Sequence, residues 1–137
     1  MELLMVGENA VDAKTLQSIT TGLGHSLKIV KNGTEALKIR ESRHFDLILL
    51  DIFLPDMKGY ELIPEFKKKW PETGIITITE ANSRELEAKV RKEGIIYYMI
   101  RPIDTQHLAS IVNHFHKKKY DQKLEKTIPE RRLRNGL

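Results

Sequence analysis

Apolar positions along the chain follow two patterns: short aliphatic runs, and longer stretches in which apolar residues recur every three or four positions. The first pattern is typical of buried strands and the second of amphipathic helices. Five aliphatic runs predict strands, at residues 3–6, 27–30, 47–50, 74–79 and 95–100. The second run alternates apolar and polar residues, which indicates a strand at the edge of a sheet.

Helical stretches are predicted between these strands and after the last one. Asn32 followed by Glu35 predicts a capped start for the second helix, and Asp104 predicts the cap of the last helix. Pro64 fits the first turn of the third helix, where its missing N–H costs little. Five alternations of strand and helix predict an α/β domain whose parallel sheet is covered by helices on both sides.

Composition narrows the class of protein. A length of 137 residues predicts one domain, and the absence of cysteine excludes zinc–thiolate sites and thiol chemistry. No apolar stretch approaches the roughly 18 residues of a membrane span, and the N-terminus lacks the pattern of a signal peptide. We therefore expect a cytoplasmic protein that does not enter a membrane.

The net charge of +4 is unevenly distributed. Residues 115–137 contain eight Lys or Arg and three acidic residues, whereas residues 1–114 contain fifteen and sixteen. The body is thus nearly neutral, which disfavours a nucleic-acid surface across the whole fold. A small nucleic-acid binder that acts through its basic tail remains a third class of function.

Charged and hydroxyl side chains stand where the predicted strands end. Asp51 follows the third strand, and Glu8, Thr79 and Arg101 follow or close the first, fourth and fifth. Because ligands bind outside the carboxyl ends of parallel strands, these groups suit phosphoryl transfer to Asp51. Glu8, Asp51 and a backbone carbonyl near Phe53 could hold Mg²⁺. The alternative for Asp51 is an ordinary turn-capping Asp.

The segment 49–59, Leu-Leu-Asp-Ile-Phe-Leu-Pro-Asp-Met-Lys-Gly, resembles the phosphoacceptor signature of receiver domains in bacterial two-component response regulators. The resemblance covers about residues 2–117. It implies a flavodoxin-like three-layer fold with five helices and a parallel sheet of strand order 2-1-3-4-5. It also implies a phosphoprotein that receives its phosphoryl group from a sensor histidine kinase or a phosphotransfer protein, with Mg²⁺ as cofactor.

The resemblance assigns a role to each candidate residue. Asp51 is the phosphoacceptor, Thr79 is the hydroxyl ligand of the phosphate, Arg101 stands where the family has Lys, and Tyr98 occupies the position of the switch aromatic. Phosphorylation is expected to draw Thr79 inward so that Tyr98 can turn into the protein. The alternatives are a plain strand residue for Thr79, a core or interface aromatic for Tyr98, and for Arg101 a salt bridge to Asp51 that holds the module inactive.

Three positions depart from the family pattern. The acid pair after the first strand is reduced to Gly7-Glu8, the Lys is Arg101, and the bulky acid Glu80 follows Thr79. Arg is planar, always charged and bidentate, so it is not a neutral exchange for Lys. These departures predict weak Mg²⁺ binding.

We therefore expect a stand-alone receiver over residues 1–118, followed by a basic tail over 119–137 that extends the last helix or is disordered. It is expected to catalyse at most its own phosphoryl transfer and dephosphorylation, and to form a homodimer through helix 4, strand 5 and helix 5. The alternative is a pseudo-receiver that works as a scaffold or dimerisation module without phosphorylation.

Overall fold

A computed structural model describes residues 1–127 of the chain. Its sheet has five parallel strands in the order β2-β1-β3-β4-β5, as predicted, and β2 lies at an edge. The strands are β1 (Glu2–Val6), β2 (Ser26–Val30), β3 (Leu47–Asp51), β4 (Gly74–Thr79) and β5 (Tyr97–Ile100). The last strand begins two residues later than the apolar run suggested. Together with the five helices described below, this order confirms the flavodoxin-like fold.

The central strand β3 lies between β1 and β4, so its side chains are covered on both faces. Leu47 to Leu50 are all buried, and only Asp51 at the carboxyl end becomes partly accessible. In register with β3, Leu50 is opposite Thr77 of β4, and Asp51 is opposite Ile78. Because the rest of the strand is buried, only its carboxyl end, at Asp51, is accessible to a ligand.

The caps predicted at Asn32 and Asp104 are both present at helix starts. The helices are α1 (Ala10–Leu23), α2 (Gly33–Arg40), α3 (Leu62–Lys69), α4 (Arg84–Arg91) and α5 (Thr105–Thr127), with a 3₁₀ turn at Gly59–Glu61 before α3. Three helices are capped by a side chain that accepts a backbone N–H of the first turn. The capping residue is Asn9 for α1, Asn32 for α2 and Ser83 for α4. Pro64 lies in the first turn of α3, as expected.

The α5 helix belongs to a second compact unit that begins at Asp104, whereas residues 1–103 form the first. The side chain of Asp104 accepts the His107 N–H at 3.0 Å and caps the helix. The helix continues without interruption past residue 118 to Thr127. The predicted boundary between domain and tail thus falls inside a helix, and residues 128–137 lie outside the described part of the chain. None of the described helices is long and apolar enough to cross a membrane.

Candidate functional site

Side chains from three strand ends share one cavity of about 480 Å³ at the carboxyl edge of the sheet. Its walls come from the end of β3, the end of β4 and the segment after β5. The lining residues are Asp51, Phe53, Thr79, Glu80, Ala81 and Arg101. The structure therefore brings together Asp51, Thr79 and Arg101, which the sequence proposed from separate strands.

Both oxygens of the Asp51 carboxylate are engaged. Oδ1 accepts the backbone N–H of Phe53 at 2.9 Å, and Oδ2 accepts from Nη2 of Arg101 at 2.7 Å. The side chains of Asp51 and Arg101 are each only 14% exposed, so this ion pair is shielded from solvent. The first bond is the turn-capping contact considered for Asp51, and the second is the salt bridge considered for Arg101.

Arg101 also contacts a second carboxylate that the sequence analysis missed. Its Nε donates to Oδ2 of Asp12 at 2.9 Å, and its Nη2 lies 2.8 Å from the same oxygen in an ion pair. The Asp12 side chain is 4% exposed and lies in the first turn of α1. An acid there normally complements the helix dipole, so its position gave no signal of a site residue. The guanidinium thus bridges Asp12 and Asp51.

The surroundings of Arg101 shift its pKa upward. Burial by itself lowers the pKa, but the hydrogen bonds to Asp12 and Asp51, together with their negative charges, more than offset that effect. A guanidinium is already charged at all physiological pH values. The bridge is therefore a permanent positive charge beside Asp51.

Gly7 lies directly beside Asp51, as its place after β1 suggested. A Cβ at Gly7 would stand 3.2 Å from the Cβ of Asp51, and the backbone φ of 156° is one that L side chains rarely adopt. An acid at this position, as in the family pattern, would therefore strain the backbone. The absence of the first acid of the pair therefore matches the backbone conformation of Gly7, which favours glycine.

Two observations bear on the predicted metal ligands Glu8, Asp51 and the Phe53 carbonyl. Glu8 is exposed, and Asp51 already pairs with Arg101. Within residues 1–127, no group of three or more His, Asp or Glu side chains is placed to hold a metal ion. Mg²⁺ prefers near-octahedral oxygen coordination and is repelled by a neighbouring cation, so the ion pair of Asp51 with Arg101 opposes its binding at Glu8, Asp51 and the Phe53 carbonyl.

Thr79 and Tyr98 meet at the backbone of Ala81. The Thr79 hydroxyl accepts the Ala81 N–H at 3.0 Å, and the Tyr98 hydroxyl donates to the Ala81 carbonyl at 3.4 Å. Tyr98 is only 5% exposed, and burial, followed by the charge of Glu87, raises the pKa of its phenol. The Tyr98 ring thus already lies inside in this structure, and its inward turn on phosphorylation stays a prediction.

The loop after β3 is held close to the site by two features. The Asp56 carboxylate accepts the N–H groups of Gly33 and Thr34 at 2.9 and 3.0 Å, together with the Thr34 hydroxyl at 2.8 Å. These bonds, that from Gly33 foremost, lower the pKa of Asp56. Gly59 approaches the backbone carbonyl of Asp51 so closely that a Cβ would overlap it.

Comparison with known proteins identifies relatives of one kind. The family described as "Response regulator receiver domain" matches residues 3–113. The luminescence regulatory protein LuxO of Vibrio campbellii is 34% identical over 110 residues, which are 80% of this chain and 24% of LuxO. The chain spans about a quarter of the length of several of the curated relatives that it matches.

Solved structures agree with the fold. The signal receiver domain of an HD domain-containing protein from Pseudomonas fluorescens Pf-5 superposes with a TM-score of 0.79 at 29% identity, covering 88% of this chain and 97% of that one. A response regulator from Burkholderia pseudomallei, solved with a phosphorylated aspartic acid, calcium ion and citrate, gives 0.73 at 25% identity, with coverages of 90% and 74%.

Proposed function

This chain belongs to the response regulator receiver domains, and from that premise we propose that Asp51 is its phosphoacceptor. Receiver domains are signalling phosphoacceptors that interact with histidine kinases or phosphotransfer proteins, rather than enzymes in the usual sense. The observation that carries the proposal is the position of the Asp51 carboxylate at the end of β3, in one cavity with Thr79 and Arg101. No other Asp of the described residues lines that cavity.

The transfer itself requires little from the protein beyond positioning and charge. A carboxylate oxygen of Asp51 attacks phosphorus of a phosphohistidine or acyl phosphate. The bond from phosphorus to the leaving nitrogen or oxygen breaks, and the leaving group keeps the electron pair. The added phosphoryl oxygens would then accept from Arg101 and from the Thr79 hydroxyl, which keeps its own proton because it only accepts from Ala81.

The response to phosphorylation is proposed to pass through Ala81. The Thr79 hydroxyl accepts the N–H of this residue, and the Tyr98 hydroxyl donates to its carbonyl. A change at Thr79 would therefore alter the backbone that Tyr98 contacts. Ala81 lies between β4 and α4, and movement there would change the surface of α4 and β5. The predicted dimer through helix 4, strand 5 and helix 5 stays a prediction.

Receiver domains as a family bind Mg²⁺ in this cleft. For this chain, weak binding through Glu8, Asp51 and the Phe53 carbonyl stays a prediction, and the ion pair at Arg101 opposes it. That the receiver acts without an output domain also stays a prediction, since the chain spans only part of its relatives. Kinase and target remain to be identified by experiment.

The scaffold alternative is supported by one observation, the ion pair between Arg101 and Asp51. If this pair never opens, Asp51 cannot react and the module would act only through its surface. The two functions differ in a single measurable property, which is the reactivity of Asp51.

Intact-mass spectrometry of the chain after incubation with acetyl phosphate tests the proposal. We expect the wild type to gain one phosphoryl group and Asp51→Asn to gain none. Asp121→Asn is the matched control, because Asp121 is an exposed acid of α5 that does not line the cavity, and its loss should leave labelling intact. An unmodified wild type, with and without Mg²⁺, would favour the scaffold.

A further inference from the structure

We propose that the Arg101 guanidinium, anchored by Asp12, takes the place of the divalent cation at Asp51, so that phosphoryl transfer to Asp51 proceeds without Mg²⁺. This inference rests on the proposed function and concerns which cation supplies the positive charge beside Asp51. It assigns Asp12 as a positioning residue, since it acts on the reaction through Arg101.

The first support is the geometry of the bridge. Nη2 of Arg101 donates to Asp51 at 2.7 Å and lies 2.8 Å from Oδ2 of Asp12, so it forms ion pairs with both carboxylates at once. The hydrogen bond to Asp12, from Nε, fixes the plane of the guanidinium. A cation held in this way already stands where negative charge accumulates during transfer to Asp51.

The second support is the balance of charge among Asp12, Asp51 and Arg101, which are shielded from solvent. Asp12 is almost fully buried, and an isolated buried carboxylate would be costly. Arg101 neutralises one of the two carboxylates and shares its hydrogen bonds with the other. A divalent ion at Asp51 would have to displace this guanidinium from Asp51, or accept its repulsion at close range.

The third support is the state of the residues that would bind a metal. Glu8 is exposed, and the backbone conformation of Gly7 disfavours the acid that could have completed a carboxylate pair. The only other buried acid described beside Asp51 is Asp12, which is occupied by Arg101. The chain thus supplies a fixed cation where its relatives offer ligands for a mobile one.

With acetyl phosphate as donor, the step balances without a metal. A carboxylate oxygen of Asp51 forms the new bond to phosphorus while the acyl oxygen–phosphorus bond breaks. Acetate leaves with the electron pair, and no proton is transferred. Arg101 retains its bonds to Asp12 and turns its contact with Asp51 toward the phosphoryl oxygens, which are themselves bidentate partners for a guanidinium.

Two variants and a control test the inference. Arg101→Ala leaves Asp12 and Asp51 as two neighbouring carboxylates, a set that attracts Mg²⁺. Arg101→Lys keeps one charge but, as a point charge, loses the two-sided bridge. Arg40→Lys is the control, because Arg40 is also a largely buried guanidinium with two carboxylate partners, Glu41 and Glu65, away from the cavity.

The measurements are the initial rate of labelling by acetyl phosphate, with Mg²⁺ or with EDTA, and an NMR titration of the amides of Gly7, Asp51 and Phe53 with Mg²⁺ alone. We expect the wild type and Arg40→Lys to react equally fast in both media and to show no saturable shifts. Without Mg²⁺, Arg101→Ala should react about 100-fold more slowly than the wild type, the usual loss when a charge-stabilising donor is removed. Both Arg101 variants should gain saturable Mg²⁺ shifts.

Asp12→Asn tests the positioning role. The amide can still accept from Arg101 but no longer attracts its charge, so the guanidinium should be held less firmly beside Asp51 and labelling should slow in EDTA. A merely structural role would lower stability and leave the Mg²⁺ response unchanged, whereas we expect the rate of this variant to become sensitive to Mg²⁺.

The outcomes separate this inference from the proposed function. Saturable Mg²⁺ binding by the wild type, with labelling that requires Mg²⁺, would overturn the inference and leave Asp51 as phosphoacceptor. Absence of labelling in every medium would overturn the proposed function, and the NMR titration alone would then decide whether Arg101 excludes the metal. If Arg101→Ala does not fold, Arg101→Lys and the wild-type comparison in EDTA give the same decision.

Discussion

Two threonines on β4 differ in what their buried hydroxyls contact. Thr79 accepts the Ala81 N–H, whereas the Thr77 hydroxyl has no hydrogen-bond partner among the described residues. Both are buried to the same extent, with 0% and 1% exposure for Thr77 and Thr79. A buried hydroxyl without a hydrogen-bond partner lowers the free energy of unfolding. A buried hydroxyl that accepts an N–H satisfies both groups and avoids this loss.

The same substitution at these two positions should therefore have opposite effects. Thr77→Val removes an unpaired polar group and is expected to leave the free energy of unfolding unchanged or raise it by up to about 1 kcal/mol. Thr79→Val leaves the Ala81 N–H without an acceptor and should lower it by about 1 kcal/mol. Urea denaturation of both variants measures the difference. A loss of stability in Thr77→Val would show that its hydroxyl has a partner, such as a buried water.

At the scale of elements, the loop after β3 is tied to the start of α2 through Asp56. Its carboxylate accepts two N–H groups and one hydroxyl from Gly33 and Thr34, at a helix terminus where negative charge is favourable. The loop that carries Asp51 and Phe53 is thus positioned from outside its own strand. This contact spans more than twenty residues of sequence.

The link through Asp56 predicts a pH dependence of stability. The folded state holds the pKa of Asp56 below its ordinary value of 3.8, so the contribution of this carboxylate is present above pH 3.8 and is lost as the pH falls through the lower folded value. Compared with Asp56→Asn, the wild type should be more stable at neutral pH, and the difference should shrink on acidification. Urea unfolding over a pH series measures this.

Asp121→Asn, an exposed substitution of the same kind in α5, serves as the control and should show no such trend. A constant difference between the wild type and Asp56→Asn at all pH values would mean that the charge of Asp56 does not strengthen its contacts with α2.

At the scale of the whole molecule, the proposed signal must travel from Asp51 to a surface. The path described by the structure is short: Thr79 and Tyr98 both bond to Ala81, which directly precedes the capped start of α4. Along α4, Glu87 pairs with Arg91, and the Lys89 ammonium lies over the Tyr60 ring at 4.7 Å. A shift at Ala81 would therefore disturb polar contacts on an exposed helix.

Beryllofluoride bound at Asp51 should change amide exchange across residues 80–91 and the sedimentation of the chain. Tyr98→Phe keeps the buried ring but removes the bond to the Ala81 carbonyl, so it should weaken the change in α4 while leaving labelling of Asp51 intact. Tyr97→Phe, the neighbouring substitution on the same strand, is the control. If exchange and sedimentation respond equally in the wild type and Tyr98→Phe, the hydroxyl of Tyr98 does not transmit the signal.

The hydrophobic pattern alone was sufficient to predict the strands, the helices and the placement of Asp51 and Thr79 at strand ends. These features follow from local rules: an aliphatic run such as 47–50 needs burial on both faces, and a capping residue such as Asn32 begins a helix wherever it lies. The order of the strands came from the resemblance to receiver domains, and the structure confirmed it.

The tertiary structure decided which side chains face each other. Asp12 and Arg101 are 89 residues apart, and no spacing rule links them, because their meeting depends on how α1 and β5 are placed around the sheet. The same holds for Glu8, which is exposed, and for Tyr98, which is already buried. The sequence by itself predicted the elements, the candidate phosphoacceptor Asp51 and the arginine near it; only the packing of distant elements decided that this arginine is held by a second acid, Asp12.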